Sequence, residues 1–171
     1  PWKFLIMGST SIQFSEFRNK KILITGASTG IGAELAKAFA KQGAIVGLHY
    51  FSSEDAAKTV ASEIQGEGGR IKLIKADVSD SQAMAGAVRE AAEVLGGLNG
   101  LINNAGGMVR RVPYAKVSDK DYDEIMDLNA RSIVVASREA LPFLKEQGGF
   151  VINTTSIAAR NGAGGGYVWF L

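Results

Sequence analysis

The chain has 171 residues, 46% of them hydrophobic and 21% charged, with a net charge of +2. This is the composition of one globular domain, able to bury roughly 70% of its unfolded surface, without the basic excess that nucleic-acid binders concentrate on a face. The sequence has no cysteine, which excludes a disulfide framework and thiolate metal sites, and its single histidine cannot build a zinc site alone.

The apolar run at 4–7 is far shorter than a signal-peptide core or a membrane span, so nothing here directs the chain into a membrane or out of the cytoplasm. Residues 1–17 read as a leader or an expression remnant, and 18–171 as the domain. The run at 21–25 (KILIT) is short, apolar and β-branched, as a buried strand should be. Gly26, Gly30 and Gly32 follow at once, and Ile31, Leu35, Ala38 and Phe39 then recur at helical spacing. A strand, a glycine turn and a helix N-terminus make an anion site, because the first helical N–H groups lack partners and the dipole favours negative charge. Glycine is expected where a Cβ would block the turn or the approach of a pyrophosphate.

Gly43 ends this helix, and 44–50 (AIVGLHY) reads as a second strand, with His49 near its end as a structural residue. Ser52 with Asp55 resembles a capping box for a helix to about residue 65. A third strand is expected at 70–76 and a third helix from Ser79 and Gln82 to about 95, stopped by Gly96 and Gly97. A fourth strand at 98–103 leads into Asn103-Asn104-Ala105-Gly106. Ser118 with Asp121 opens a long helix that Pro142 can kink, and a fifth strand follows at 150–155. Strand and helix alternate throughout, which predicts an α/β, doubly wound parallel sheet of order 3-2-1-4-5. The ligand crevice of such a sheet lies at the carboxyl ends of strands 1 and 4, where both glycine-bearing segments fall. With nothing following it, the fifth strand would be an edge strand and the chain prone to aggregate.

These landmarks resemble the short-chain dehydrogenase/reductase family. Thr25-Gly26-Ala27-Ser28-Thr29-Gly30-Ile31-Gly32 matches its TGxxxGIG, and Asp77-Val78 matches its adenine-side aspartate. Asn103-Asn104-Ala105-Gly106 matches its NNAG, Asn129 its catalytic-site asparagine, and Asn153-Thr154-Thr155-Ser156 the strand ending in its catalytic serine. The wording around His49-Tyr50 is most similar to 3-oxoacyl-carrier-protein reductase-type members. The resemblance implies the Rossmann fold and hydride transfer between a nicotinamide and a carbonyl/alcohol substrate. It implies cofactor contacts from Gly26, Ser28, Thr29, Gly30, Ile31, Gly32, Asp77, Val78, Asn103, Ala105 and Gly106, and a homo-oligomer if the chain is complete.

Tyr50, Phe51, Ser52 and Ser53 occupy the strand-2 corner where NAD-preferring folds carry an acid for the ribose 2′-OH. With no carboxylate at that position and two hydroxyls beside a helix start, NADP is the expected cofactor, with NAD as the alternative. Asn129, Ser156 and Tyr167 are the candidate catalytic residues. The family completes its site with Tyr-x-x-x-Lys, whose lysine lets a phenol of pKa near 10 work at neutral pH. Here Leu171 stands four residues after Tyr167 and no lysine follows Lys145. The expectation is a dehydrogenase cut short after the fifth strand and nearly inactive as it stands. The competing reading is a non-catalytic nucleotide-binding protein. A methyltransferase shares the sheet class but explains neither NNAG nor the Asn153–Ser156 segment. Arg110 and Arg111 stand where an acidic substrate or carrier would approach, a solvated loop being the blander role.

Overall fold

The structure is a computed structural model that describes residues 14–161. Five parallel strands, β1 (Lys21–Ile24), β2 (Ile45–Tyr50), β3 (Arg70–Lys75), β4 (Gly100–Asn103) and β5 (Phe150–Asn153), lie in the order β3-β2-β1-β4-β5. Between them run α1 (Gly30–Lys41), α2 (Glu54–Gly66), α3 (Ser81–Leu95), α4 (Asp119–Met126) and α5 (Ser132–Gln147), with a short α6 (Ile157–Asn161) after β5. This is the doubly wound Rossmann arrangement that the alternation of elements predicts.

Strand alternation sorts the core into two layers. Ile22, Ile24, Val46, Leu48 and Tyr50 pack with α1 and α2, whereas Leu23, Ile74, Leu98 and Leu101 pack with α3 and α5. Asn99, just before β4, ties the amino end of β1 to the carboxyl end of α5. Its Oδ1 accepts from Lys21 N at 3.0 Å, and its Nδ2 donates to Gln147 O at 3.3 Å. At the same end Phe17 meets Phe39 and Phe150 edge-on, with ring centroids 5.1 and 6.5 Å away.

Three details differ from the sequence expectation. The caps of α2 and α3 fall one residue later, at Ser53 and Asp80. The Ser79 hydroxyl is taken by Asp77 at 2.7 Å, while the Asp80 carboxylate accepts from Gln82 N and Ala83 N. A carboxylate shared by two orphan N–H groups makes charge-assisted bonds and is the stronger cap. The Ser118 box forms as expected, with Asp121 reaching back to Ser118 N at 2.9 Å.

The third difference is that the long helix is interrupted by a π turn at Asp127–Arg131. Two side chains enter its hydrogen-bond ladder there. Asn129 Nδ2 donates to Ile125 O at 3.0 Å, and Ser132 Oγ donates to Leu128 O at 2.5 Å. Side chains that bond a carbonyl four residues back displace the backbone donor and distort a helix. Pro142 lies inside α5.

Candidate nucleotide crevice

The carboxyl ends of the strands open into two adjoining clefts. The first, about 410 Å³, is bounded by the glycine turn, the β2 corner and Asp77. The second, about 610 Å³, runs from the β4 loop to Asn129 and Ser156. Ile31, Asn104, Ala105 and Gly106 border both, so the two form one trough across the switch between β1 and β4.

Gly26 and Gly32 owe their places in the turn to protein contacts. Gly26 has φ +62°, and a Cβ there would sit 2.8 Å from Ala105 Cα. A Cβ on Gly32 would meet Gly26 O within van der Waals distance and Asn104 Nδ2 at 2.6 Å. The expected obstruction of a pyrophosphate is therefore, at Gly32, an obstruction between α1 and the turn itself. Gly26 N donates to His49 Nδ1 at 3.2 Å and Ala27 N donates to His49 O at 2.8 Å, so neither N–H faces a ligand. The first turn of α1, with Gly30, Ile31 and Gly32, has no side-chain cap and keeps N–H groups for an anion, and Ile31 borders the cleft.

Across the first cleft, Asp77 Oδ1 accepts from Ser79 N at 2.9 Å and Ser79 Oγ at 2.7 Å. Oδ1 thus serves the turn, and no hydrogen bond within the described residues engages Oδ2. Val78 is buried beside it, and Tyr50 lines the same cleft. Ser28, Thr29, Ser52 and Ser53 line it too, and neither Thr29 nor Ser53 spends its hydroxyl on capping the helix that follows.

Tyr50, Phe51, Ser52 and Ser53 form the β2 corner without a carboxylate, as the sequence predicts. Glu54 and Asp55 follow as the first turn of α2. Glu54 is bound by Lys58 at 2.9 Å and Lys75 at 3.1 Å, which hold its carboxyl below its ordinary pKa. Lys75 also lies 5.9 Å from the centre of the Tyr50 ring.

In the second cleft Asn129 is buried. Its Oδ1 accepts from Gly107 N at 2.8 Å and its Nδ2 donates to Gly107 O at 2.9 Å. The side chain thus fixes the loop leaving β4. A few residues on, Arg110 Nε donates to Asp121 Oδ1 and Nη1 to Glu124 Oε2, each at 2.6 Å. Arg110 is therefore an exposed brace between that loop and α4, paired with two carboxylates. Asp121, which also accepts from Ser118, is held down to a pKa of about 2 by the Ser118 hydroxyl and N–H and by Arg110. Ser156 caps α6, its Oγ accepting from Ala158 N at 3.2 Å, and it borders the second cleft. Tyr167 lies outside the described residues.

Of the two asparagines before Ala105, the one assigned to the cofactor has other partners. Asn103 Nδ2 donates to Asn153 Oδ1 at 2.8 Å and Ser137 Oγ at 3.2 Å, and it borders neither cleft. Asn104 faces the trough, with Nδ2 on Thr25 O and Gly26 O, both at 3.1 Å. The signal was present in the strand period: Asn103 lies two residues after Leu101 and shares its face, toward α5. His49 was assigned a structural role but not a place at the glycine turn, and no local pattern announces that.

A Rossmann sheet with a glycine turn at its switch point defines a dinucleotide-type fold. The family model described as "short chain dehydrogenase" matches residues 20–169, and the chain belongs to that family. It is 31% identical over 144 residues to the 3-oxoacyl-[acyl-carrier-protein] reductase FabG of Staphylococcus aureus, covering 84% of this chain and 58% of that protein. A short chain dehydrogenase from Burkholderia cenocepacia, solved in complex with NADP, superposes with TM-score 0.82 at 37% identity, covering 88% of this chain and 60% of that one. An NADH-dependent reductase, A1-R′, complexed with NAD, superposes with TM-score 0.84 at 36% identity, covering 90% and 66%. The chain spans about three fifths of the length of the curated relatives it matches.

Proposed function

We propose that the trough binds a nicotinamide dinucleotide, NADP with NAD as the alternative, and serves hydride transfer between the nicotinamide and a carbonyl/alcohol substrate. The observation that carries this reading is the free first turn of α1 facing a cleft whose far wall holds Asp77 Oδ2. These residues fit the group. The N–H groups of Gly30, Ile31 and Gly32 suit a pyrophosphate, and Asp77 Oδ2 can accept from an adenine amino group. Ser52 and Ser53 offer hydroxyls at the ribose corner, and the two lysines on Glu54 offset the acid that would oppose a 2′-phosphate. When bound, the nicotinamide supplies or accepts the hydride.

On the substrate side, Asn129 keeps the β4 loop in place through Gly107, and Ser156 borders the second cleft with a hydroxyl suited to a carbonyl oxygen. The proton that accompanies hydride transfer needs a general acid, and Tyr167 is the tyrosine proposed for it. The sequence offers it no lysine four residues on. A site without that pair should lose about 10²–10⁴-fold in rate.

Titration with NADPH, NADH and S-adenosylmethionine, followed by nucleotide fluorescence and calorimetry, tests the reading. NADPH binding more tightly than NADH supports it in full, and the reverse order overturns the NADP assignment. Preference for S-adenosylmethionine overturns the dehydrogenase reading. Dinucleotide binding without carbonyl reduction favours the non-catalytic alternative.

A further inference from the structure

His49 is 1% exposed, and both ring nitrogens are engaged on backbone groups from opposite ends of the first cleft. Nδ1 faces Gly26 N at 3.2 Å, and Nε2 faces Ala76 O at 3.2 Å. Gly26 opens the glycine turn, and Ala76 immediately precedes Asp77. A backbone N–H can only donate and a carbonyl can only accept, so only the neutral imidazole with its proton on Nε2 satisfies both. The His49 carbonyl adds a third tie by accepting from Ala27 N at 2.8 Å. One residue therefore spans the two segments proposed to hold the pyrophosphate and the adenine.

We propose that His49 is a positioning residue that couples the two halves of the dinucleotide site, holding the glycine turn and the Asp77 loop in one fixed relation. The proposal rests on the dinucleotide reading above. Its content is a coupling: each half-site keeps its own donors and acceptors without His49, but a ligand that bridges them loses the benefit of their fixed spacing. An amide can replace the imidazole in kind, because asparagine offers an NH2 donor group and a carbonyl acceptor. An aliphatic side chain cannot, and it leaves Gly26 N–H and Ala76 C=O without a partner.

The chain holds one histidine, so ¹⁵N-histidine labelling gives a spectrum of this ring alone. The expected spectrum at neutral pH has a protonated Nε2 and an unprotonated Nδ1 that shifts when NADPH binds. Alongside it, dissociation constants for NADPH, adenosine 2′-monophosphate and nicotinamide mononucleotide are compared in wild type, His49→Asn and His49→Leu. His49→Leu should weaken NADPH by about tenfold or more, the scale of an orphaned hydrogen-bonding group, while each half-molecule changes far less. His49→Asn should recover most of the loss. A ring protonated on Nδ1, or equal weakening of whole and half ligands by His49→Leu, overturns the proposal while leaving the dinucleotide reading intact. Failure of the wild type to bind any dinucleotide overturns that reading and removes the coupling with it. The labelled spectrum separates the two failures.

Discussion

β1 and β5 are both four-residue parallel strands, KILI and FVIN, and both carry two consecutive β-branched or aliphatic residues at their centre. Ile22, Leu23 and Ile24 have no exposure at all, whereas Val151 is 41% and Ile152 46% exposed. The difference lies in sheet position. β1 is third of five with helices on both faces, and among the described residues β5 pairs with β4 alone. Apolarity makes a segment able to be buried, and neighbours determine whether it is. The β1 layer is accordingly closed, while β5 and the loop leaving β4 are held by a few polar clamps.

This contrast is breakable. Ile24→Ala, in the closed region, should cost about 2–5 kcal/mol in chemical denaturation. An Ile24→Ala variant as stable as wild type would mean that the β1 layer is looser than its burial implies.

Acid should strike the closed side next. Burial pushes the His49 pKa down to about 4 from 6.5, with Asp77 the charged group acting on it in opposition. The unfolded chain therefore binds the proton first, and stability falls as pH drops from 6.5 toward 4, by roughly 3 kcal/mol in all. His49→Asn should flatten that window in a pH series of denaturation curves. The Asp121 carboxylate, held at about 2, keeps its stabilising contribution above its unfolded value near 3.8 and loses it only below that.

On the open side, Asn129→Ala orphans Gly107 N–H and C=O and should cost about 1–3 kcal/mol. Faster hydrogen exchange at Gly107 would mark the loop as the part released. Ser118→Ala removes one half of the capping box and should cost about 1 kcal/mol. Ile152→Ala, on the exposed strand, should stay within about 0.5 kcal/mol of wild type. A loss near that of Ile24→Ala would show that β5 is covered in solution.

The sequence legible in this way was the local part. Hydrophobic runs of the right length, glycines between them and caps such as Ser118 and Asp121 specify each element from its own residues, and their alternation admits few sheet orders. The five strands, their order and the glycine turn at the switch point follow from that. Boundaries slipped where two polar residues competed for one role, as Ser79 and Asp80 did, because the winner depends on which carboxylate or hydroxyl a neighbour has already taken.

Tertiary structure decided what depends on distant partners. His49 reaches Gly26 across 23 positions of sequence and Ala76 across 27. Asn103 meets Asn153 across 50, and Arg110 is claimed by Asp121 and Glu124 through the folding of its own loop. Each of these side chains carries several donors or acceptors, and its residue type leaves open which of them will be satisfied and by whom. Hydrophobic periodicity is written into consecutive residues and can be read there. The partner of a polar group is set only when packing brings two segments within about 3 Å.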